Sequence, residues 1–388
     1  MSEKYKEYCM KFSNEEIRAY MVDYLISNSM NNKLIKVLEI GPSVTRSKGG
    51  MATVIDGIYK DKVSFQGYKI DLFDSFIDGN KLKRLMFCIY AYIKFHLLYK
   101  QYDIFHIHMA SYGSTFRKIK YIKFLKRNNK KVIVHVHGAA YMEFYRALND
   151  KRKKMITDTI NEADLVIALS ETWKCFFENE IKFKNVVVLN NAVDTKEFKN
   201  ININRNQKVN KLLFLGRLGK RKGTYDLIYA IKALKDMGVL VKCIFAGDGE
   251  IEKAKMLAEE LGVLNQLEFT GWIDTKKKMK LLKSIEVIVL PSYNEGLPMT
   301  ILEGMASGKI IISTTVGAIP EVIIEEENGF LIEPGDIKKL AEVIKYVYEN
   351  EEILEKISKN NIAKIDKYFN IKKINRKLEK HFYNIYTR

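Results

Sequence analysis

The feature that most constrains the fold is an alternation between short β-branched runs and longer amphipathic stretches. Five runs lie in the first half of the chain: LIKVLEIG (34–41), FHIH (105–108), KVIVHVHG (131–138), ADLVIALS (163–170) and NVVVLNN (185–191). After the polar, aperiodic segment 201–210 the alternation restarts with KLLFLGR (211–217), VKCIFAGDG (241–249), LEFTG (267–271), EVIVLP (286–291) and KIIISTT (309–315). Parallel strands buried on both faces have this pattern, because each needs a crossover helix to reach the next. The chain is therefore predicted to be α/β, with two parallel sheets.

The length and the break in the pattern predict two domains. A chain of 388 residues is longer than one hydrophobic core usually serves. We expect a helical prefix over residues 1–33, a Rossmann-like domain over 34–200, a linker over 201–210, a second Rossmann-like domain over 211–370 and a C-terminal helix over 371–388. Ligands bind beyond the carboxyl ends of strands in open α/β sheets. The functional side chains are therefore expected just after the strand-forming runs, in a cleft between two facing domains.

The composition leaves two explanations of a strong positive charge. The net charge is +18 and the pI about 9.4, which favours nucleic acid, anionic lipid or phosphorylated substrates as partners. Default use of lysine in a chain rich in Lys, Ile and Asn explains the charge equally well. The four cysteines show no CxxC pairing, so we expect a reducing compartment without a disulfide framework. The beginning of the chain lacks the apolar stretch of a signal peptide, and we expect a cytoplasmic protein without a membrane span.

The stretch PSYNEGLPMTILEGMASG (291–308) places two carboxylates after a buried-strand run. Pro298 is expected at the first position of a short helix and Gly308 at its C-terminal cap, so that the helix N-terminus points into the cleft. Glu295 then lies in the loop before the helix and Glu303 within it. Two carboxylates along a cleft wall can accept hydrogen bonds from a polyol, and free N–H groups at a helix N-terminus favour an anion. The alternative is a pair of solvated helix-end charges.

Two other segments follow strand-forming runs and carry residues suited to phosphate. In FLGRLGKRKG (214–223), Arg217 and Lys222 are expected at a strand end, where they could neutralise a diphosphate leaving group without a metal. A solvated basic turn is the alternative. In RSKGGMATVI, Gly49 and Gly50 precede a predicted helix in a phosphate-cradling arrangement.

Four histidines lie near the ends of two predicted strands, namely His106, His108, His135 and His137. Such pairs suggest a metal site, but residues i and i+2 of a strand share a face, which suits core packing or cleft lining equally well. We expect no metal, since neither an acidic nor a Cys ligand accompanies them. His137, which precedes a glycine, is expected at the cleft edge.

The chain resembles the family 4 glycosyltransferases, retaining enzymes with the GT-B fold, over roughly residues 34–370. The most specific element is the pair of glutamates with seven residues between them, Glu295 and Glu303. Other segments have the family's order and spacing: NNAVD (190–194), GRLGKRKG (216–223), AGDGE (246–250), VGAIPEVI (316–323) and NGFLIEPGD (328–336). Where the family usually has EAMA, this chain has EGMA (303–306), a small-for-small change.

The resemblance implies that the second domain binds a nucleotide sugar and the first domain the acceptor. Arg217 and Lys222 would bind the diphosphate, Glu303 the ribose hydroxyls and Glu295 a hydroxyl of the transferred sugar. It places the remaining contacts as follows: Gly296, Leu297 and Pro298 beside the sugar, His137 near it, Gly49 and Gly50 beside the phosphates, and Trp272 and Ile273 beside the base. Glu295, His137, Arg217 and Lys222 are thus the candidate catalytic residues.

The resulting prediction is a retaining transfer from a nucleoside diphosphate sugar, with UDP favoured, to a hydroxyl of a saccharide in bacterial surface polysaccharide or glycolipid synthesis. No cofactor or metal is expected, and no Asp-x-Asp motif occurs in the chain. An epimerase or phosphorylase of the same architecture is the alternative. A nucleic-acid-binding protein ranks lower, because the chain lacks RRM, KH and zinc-finger signatures.

Two stretches without an acidic residue predict an anionic membrane surface as a partner. Residues 81–100 combine an apolar helical face with three basic residues at the start, and residues 116–131 contain eight basic residues. Basic amphipathic segments can lie in a membrane interface. The alternative is that both stretches are helices covering a Rossmann sheet, which are also amphipathic. We expect a lipid-linked acceptor and a peripheral location on the inner face of the cell membrane.

Overall fold

The computed structural model describes residues 34–199, 201 and 211–388. The predicted prefix over residues 1–33 lies outside the described residues, as does the predicted linker over 201–210 except for residue 201. The described chain forms two six-stranded sheets. All strand pairs within both sheets are parallel, as predicted.

The first sheet is built from the strands β1 (Ile35–Pro42), β2 (Tyr68–Phe76), β3 (Ile104–Met109), β4 (Lys131–Val136), β5 (Leu165–Ala168) and β6 (Val186–Val188). Their order across the sheet is β2-β1-β3-β4-β5-β6. The helices in this part of the chain are α1 (Gly50–Lys60), α2 (Lys81–Leu98), α3 (Gly113–Arg127), α4 (Tyr141–Arg146), α5 (Asp150–Asn161), α6 (Glu171–Asn179) and α7 (Thr195–Phe198).

The second sheet is built from β7 (Lys211–Leu215), β8 (Lys242–Ala246), β9 (Leu267–Gly271), β10 (Val287–Leu290), β11 (Ile310–Thr314) and β12 (Phe330–Ile332). Their order is β12-β11-β10-β7-β8-β9. The helices are α8 (Thr224–Asp236), α9 (Ile251–Glu260), α10 (Thr275–Ser284), α11 (Met299–Ala306), α12 (Ile319–Val322), α13 (Ile337–Glu349), α14 (Ile353–Tyr368) and α15 (Ile371–Thr387). Short 3-10 helices span Lys62–Ser64, Tyr99–Gln101, Lys220–Lys222 and Leu264–Gln266.

The strand order places the predicted motifs at the switch point of each sheet. In the second sheet the order reverses between β7 and β10, which are neighbours. In the first sheet it reverses between β1 and β3. Crevices at such reversals are where ligands bind in open α/β sheets. The basic turn after β7, the Glu295 loop after β10 and the glycine pair after β1 therefore all lie at positions suited to a ligand.

The last helix, α15, packs on the first sheet rather than on the second. Its apolar residues recur every three or four positions, which produces one apolar stripe. Ile371, Ile374, Leu378 and Phe382 share a buried core with β1 residues such as Val37. A polar contact strengthens this docking, since the backbone N–H of Gln66 donates to Glu379 Oε1 at 2.7 Å. The chain therefore returns to its first domain and links the two sheets.

Two strands were missed by the sequence analysis. β2 lies at the edge of the first sheet and alternates between buried and partly exposed positions, so it lacks the continuous apolar run used to identify buried strands. β12 has only three residues, and it lacks the β-branched run that marks the equally short β6. Both are edge strands, and the strand-forming runs predicted from the sequence belong to the other ten.

The two acid-free stretches have opposite environments. In α3, the apolar residues Ile119, Tyr121, Ile122 and Leu125 are buried in the first domain's core. The apolar face predicted for residues 81–100 instead points to solvent along α2, whose fully buried residues are Ala91 and Phe95. Of these two helices, α2 is therefore the one that presents an apolar surface to solvent. Within the described chain, no helix has the length and hydropathy needed to cross a bilayer.

Candidate active site

The loop between β10 and α11 forms the centre of the candidate site. Pro298 has an extended backbone (φ −66°, ψ 128°) and precedes the helix, which begins at Met299. The prediction that Pro298 is the first helical residue was therefore wrong by one position. Gly308 follows the C-cap residue Ser307 with φ +68°, the left-handed conformation that ends many helices. α11 follows the carboxyl end of β10, so the N–H groups of its first turn lie at the edge of the sheet where the cleft is predicted.

Both glutamates of the motif are buried and paired with lysines. Glu295 is 7% and Glu303 is 6% exposed, so the alternative of two solvated charges is wrong. Glu295 Oε1 lies 2.5 Å from Lys222 Nζ and accepts a hydrogen bond from Ser292 Oγ at 2.8 Å. Glu303 Oε1 lies 2.6 Å from Lys278 Nζ. Burying a carboxylate costs free energy unless it is paired. The two lysines therefore explain why two carboxylates can be buried in the cleft wall.

The basic turn after β7 brings Lys222 to the loop but leaves Arg217 outside it. Gly223 has φ +70°, and a Cβ there would lie 1.9 Å from the carbonyl oxygen of Pro291, so only glycine allows the turn to approach β10 so closely. Arg217 is the more exposed cation, since its side chain is 72% exposed, against 14% for Lys222, and its Nη1 lies 3.8 Å from Asp248 Oδ2. The structure therefore joins Lys222 to Glu295 directly, with Arg217 at the entrance.

The two domains meet across this loop. A Cβ on Gly296 would lie 3.2 Å from Leu169 Cδ1 and 3.6 Å from the carbonyl oxygen of His137. The side-chain amide of Asn191 donates to the carbonyl oxygen of Leu297 at 2.7 Å. These contacts bring the predicted sugar-site residues of the second domain against the first domain, next to His137.

The predicted phosphate and base positions also meet at the domain boundary. A Cβ on Gly50, the first residue of α1, would lie 3.8 Å from Met299 Cγ, at the start of α11. The preceding Gly49 has φ +123°. Two helix N-termini, each with unpaired N–H groups, therefore approach one another, which is an arrangement suited to a diphosphate.

The segment predicted to border the base follows β9. Trp272 is half-exposed, and Lys48 Nζ from the first domain lies 4.6 Å from its ring centroid. Ile273 is partly buried against the second domain's core. The indole is thus accessible at the cleft mouth, and a cation from the facing domain covers it.

A buried carboxylate accompanies the four histidines, so one premise of the sequence analysis was wrong. Glu39 on β1 is fully buried and is the register partner of His106 on β3. His106 Nδ1 lies 3.0 Å from Glu39 Oε1, and His108 Nε2 lies 2.6 Å from Glu39 Oε2. Ligand atoms of His106, His108 and His135 lie within 4.8 Å of one another. The absence of metal remains a prediction, but it can no longer rest on the absence of an acidic partner.

Burial favours the neutral form of His108, His135 and His137. It lowers the pKa of His137 to about 3, assisted by the nearby His106. Burial and the neighbouring histidines also lower the pKa of His108 and of His135 well below the ordinary value. At neutral pH these three imidazoles are therefore neutral, and in each of them one ring nitrogen is a donor and the other an acceptor.

Lys278 and Glu39 were not predicted from the sequence, although each has a recognisable signal there. Lys278 lies one helical turn before Leu282, the buried residue of α10, so helical periodicity places it on the buried face. Glu39 is the only acidic residue in the apolar run LIKVLEIG, and a charged residue within a buried strand is rare unless it is paired. A search for charged residues on buried faces would have found both.

Comparison with known proteins identifies the family. The model described as "Glycosyl transferases group 1" matches residues 195–364, and the model described as "Glycosyltransferase Family 4" matches residues 61–197. The two matches overlap at residues 195–197 and together extend over most of both domains. They contain the loops after β7 and β10 and the histidines of β3 and β4.

Individual relatives support the same assignment. An uncharacterized glycosyltransferase of Methanocaldococcus jannaschii is 28% identical over 304 residues, which cover 74% of this chain and 77% of the relative. The capsular polysaccharide biosynthesis glycosyltransferase CapM of Staphylococcus aureus is 26% identical, over 58% of this chain and 62% of CapM. HepE of Anabaena, solved in complex with UDP-glucose, superimposes with a TM-score of 0.73 at 19% identity, over 90% of this chain and 100% of HepE. The chain therefore belongs to the family 4 glycosyltransferases and has their GT-B fold.

Proposed function

We propose that this glycosyltransferase moves a sugar, with retention of anomeric configuration, from a nucleoside diphosphate sugar to a hydroxyl of a lipid-linked saccharide. The observation that carries the proposal is the pairing of two buried carboxylates with lysines beside two converging helix N-termini. This arrangement combines acceptors for hydroxyl groups with positive charge for phosphate. UDP is the favoured nucleotide, supported by the UDP-glucose that HepE binds.

The diphosphate is proposed to lie between the N-termini of α1 and α11. Lys222 and the exposed Arg217 then contact its oxygens, with backbone N–H groups of both helices. As the bond between sugar and phosphate breaks, negative charge accumulates on the diphosphate. Fixed dipoles and cations lower the barrier when they stabilise this charge in the transition state more strongly than they stabilise the bound donor.

The transferred sugar is proposed to lie between the Glu295 loop and His137. Lys222 and Ser292 both contact Oε1 of Glu295, so Oε2 is the oxygen positioned to accept a sugar hydroxyl. A carboxylate close to the ring also stabilises the positive charge of an oxocarbenium-like transition state. Glu303 lies within α11 and is proposed to accept hydrogen bonds from the ribose hydroxyls.

Retention is proposed to occur by substitution on one face of the sugar. The bond from the anomeric carbon to the phosphate oxygen breaks, and the acceptor oxygen forms a bond on the same face. The acceptor's proton moves to the departing phosphate oxygen, which serves as the base. No residue of the described site is required as a covalent nucleophile in this scheme. Proton NMR of the product anomeric signal tests it, because inversion relative to the donor would refute same-face substitution.

A membrane-bound acceptor is proposed from the surface of α2. Its side chains Leu82, Leu85, Met86, Ile89, Ile93 and Leu97 are between 49% and 76% exposed. The helix contains no acidic residue, and a soluble surface has no need for six adjacent apolar side chains. Apolar residues of this kind, next to lysines and arginines, insert into the interface of an anionic bilayer.

A cavity beside α2 fits the same partner. It has a volume of about 440 Å³ and lies between α2, α3 and the end of β2. Four cations line it, namely Lys81, Arg84, Arg117 and Lys120, and its lining contains no acidic residue. The guanidinium of Arg117 lies 4.6 Å from the Phe76 ring centroid, and burial lowers its pKa. An apolar cavity ringed by cations fits an anionic amphiphile, such as the phosphate and adjoining lipid of a lipid-linked saccharide.

The transfer is tested with a panel of nucleotides and nucleotide sugars, scored by the shift in melting temperature and then by product analysis. Sugar transfer to an added saccharide supports the proposal. Epimerised donor, or release of sugar 1-phosphate with inorganic phosphate, would replace it with the epimerase or phosphorylase alternative.

The membrane partner is tested by co-sedimentation with vesicles of anionic or neutral lipid. The double variant Leu82→Asp, Met86→Asp is expected to abolish sedimentation with anionic vesicles. The matched control Leu240→Asp, Met256→Asp changes two exposed apolar residues of the second domain and should leave sedimentation unchanged. Equal recovery of the unaltered protein in the supernatant with both lipids at low salt would refute the membrane partner without affecting the donor site.

A further inference from the structure

The Glu39 carboxylate starts two chains of hydrogen bonds. One runs to His108 and then to His137, because His108 Nδ1 lies 2.9 Å from His137 Nε2. The other runs to His106 and then to His135, because His106 Nε2 lies 3.2 Å from His135 Nδ1. Glu39, His106, His108 and His135 lie on β1, β3 and β4 and are fully or almost fully buried, and His137 directly follows β4.

The carboxylate determines which nitrogen of each imidazole carries the proton. With Glu39 acting only as an acceptor, His108 donates to it from Nε2 and is left with a lone pair on Nδ1. His137 then donates to that lone pair from Nε2, which leaves Nδ1 of His137 without a proton. The same reasoning in the other chain leaves Nε2 of His135 without a proton.

The two nitrogens at the ends of these chains are the ones that lack a partner. His137 Nδ1 and His135 Nε2 are buried and have no hydrogen-bond partner among the described residues. A buried polar atom without a partner needs an explanation, and a bound ligand or an ordered water can supply the missing partner. The carbonyl oxygen of His137 lies beside Gly296, in the loop where the transferred sugar is proposed to bind, so a sugar hydroxyl is a candidate partner for Nδ1.

We infer that Glu39 and His108 are positioning residues that hold His137 in the tautomer with a bare Nδ1, ready to accept a hydrogen bond from a hydroxyl of the bound sugar. This inference rests on the proposed donor site. The sugar hydroxyl supplies the missing partner, and no proton needs to be transferred. The first domain thereby contributes to recognition of the donor sugar. It does so through Glu39 and His108, which lie far from His137 in the sequence.

The tautomers can be read directly from the unaltered protein. The chain contains six histidines, and long-range proton–nitrogen NMR of histidine-labelled protein distinguishes the protonated nitrogen of each ring. His137 is assigned by the signal lost in His137→Asn. The expected result is a proton on Nε2 of His137, whether or not a donor is bound. A proton on Nδ1 would overturn the inference even if the protein is a normal nucleotide-sugar enzyme.

A matched pair of variants separates positioning from structural support. His106→Leu and His108→Leu each remove one donor to Glu39 from a fully buried site on the same strand, so both should lower the melting temperature. Only His108→Leu should lower kcat/KM for UDP-sugar hydrolysis, by about tenfold for one lost hydrogen bond, with the affinity for UDP alone within twofold of normal. His108→Gln should restore most of the activity, since its amide can donate to Glu39 and accept from His137.

Two further outcomes would overturn the inference. Equal losses of kcat/KM in His106→Leu and His108→Leu would mean that the cluster only supports the fold. One tightly bound zinc ion per chain, found by elemental analysis, would mean that a metal occupies the ring lone pairs. If neither leucine variant folds, the NMR tautomer of the unaltered protein still decides. Loss of UDP binding in the unaltered protein would instead count against the donor site.

Discussion

Replacing Glu303 by glutamine should separate nucleotide binding from folding. The side chain is 8% exposed and its oxygen lies 2.6 Å from Lys278 Nζ. Glutamine keeps the shape and one acceptor oxygen but removes the charge. Hydrogen bonds to charged groups contribute about 1.5–3 kcal/mol. Since about 1.4 kcal/mol corresponds to a factor of ten, the affinity for UDP should fall roughly ten- to hundredfold.

Stability should also fall, because Lys278 loses its partner. Breaking a buried ion pair costs about 3–5 kcal/mol. The side chain of Lys278 is 17% exposed, so hydration of the ammonium should bring the loss toward the lower end of that range. Thermal unfolding without nucleotide measures this loss independently of binding.

Glu286→Gln is the matched control. Glu286 also pairs with a lysine in the second domain, 3.5 Å from Lys309 Nζ, and both side chains are buried. Glu286 precedes β10, however, and thus lies at the edge of the sheet opposite the cleft. Calorimetric titration with UDP should show weak binding for Glu303→Gln and normal binding for Glu286→Gln, with both proteins destabilised. Equal UDP affinity in the two variants would refute the assignment of Glu303 to the ribose.

The remaining predictions concern metal, pH and a glycine. Turnover should survive EDTA because Lys222 and its neighbours supply the positive charge, and loss of activity that a divalent ion restores would contradict this. The free energy of unfolding, measured with urea at pH 7, 6 and 5, should be largest above pH 6.5 and should fall as the pH approaches the pKa of His137 near 3. The reason is that only the unfolded chain takes up the proton in this range, which lowers the free energy of unfolding by up to about 1.4 kcal/mol per pH unit for each such histidine. A flat profile would refute the burial of neutral imidazoles. Gly223→Ala should lower both the melting temperature and turnover, because its Cβ would collide with Pro291, whereas Gly238→Ala, also at positive φ but with open space around it, should lower stability alone. Equal turnover in the two variants would count against the role of the basic turn.

The sequence located the donor side of the cleft because its motifs are local. Glu295 and Lys222 each follow a strand directly, and the carboxyl ends of parallel strands meet at one edge of a sheet. The strand that precedes each residue in the sequence therefore predicts that the residue lies at this edge. Which residue pairs with which was not predictable in this way. Lys278 is 25 residues from its partner Glu303, and Glu39 is 67 residues from its partner His106. Such pairs depend on the order of strands and helices in space, which local periodicity does not contain.

The direction of the α2 apolar face was also beyond the sequence. Helical periodicity shows which residues share a face, and it grouped Leu82, Met86 and Ile93 correctly. It does not show whether that face meets a sheet or solvent. α2 packs mainly through Ala91 and Phe95, two residues that carry no distinctive pattern. The same limit applied to α3, whose equally basic sequence has its apolar side chains in the core.

A crystal structure with an intact, non-hydrolysable UDP-sugar analogue would test the central claim most directly. The account predicts the diphosphate between the N-termini of α1 and α11 within hydrogen-bonding distance of Lys222, the ribose on Glu303, and the sugar between Glu295 and His137. A nucleotide bound elsewhere on the chain, or a diphosphate that contacts neither helix N-terminus nor Lys222, would contradict it.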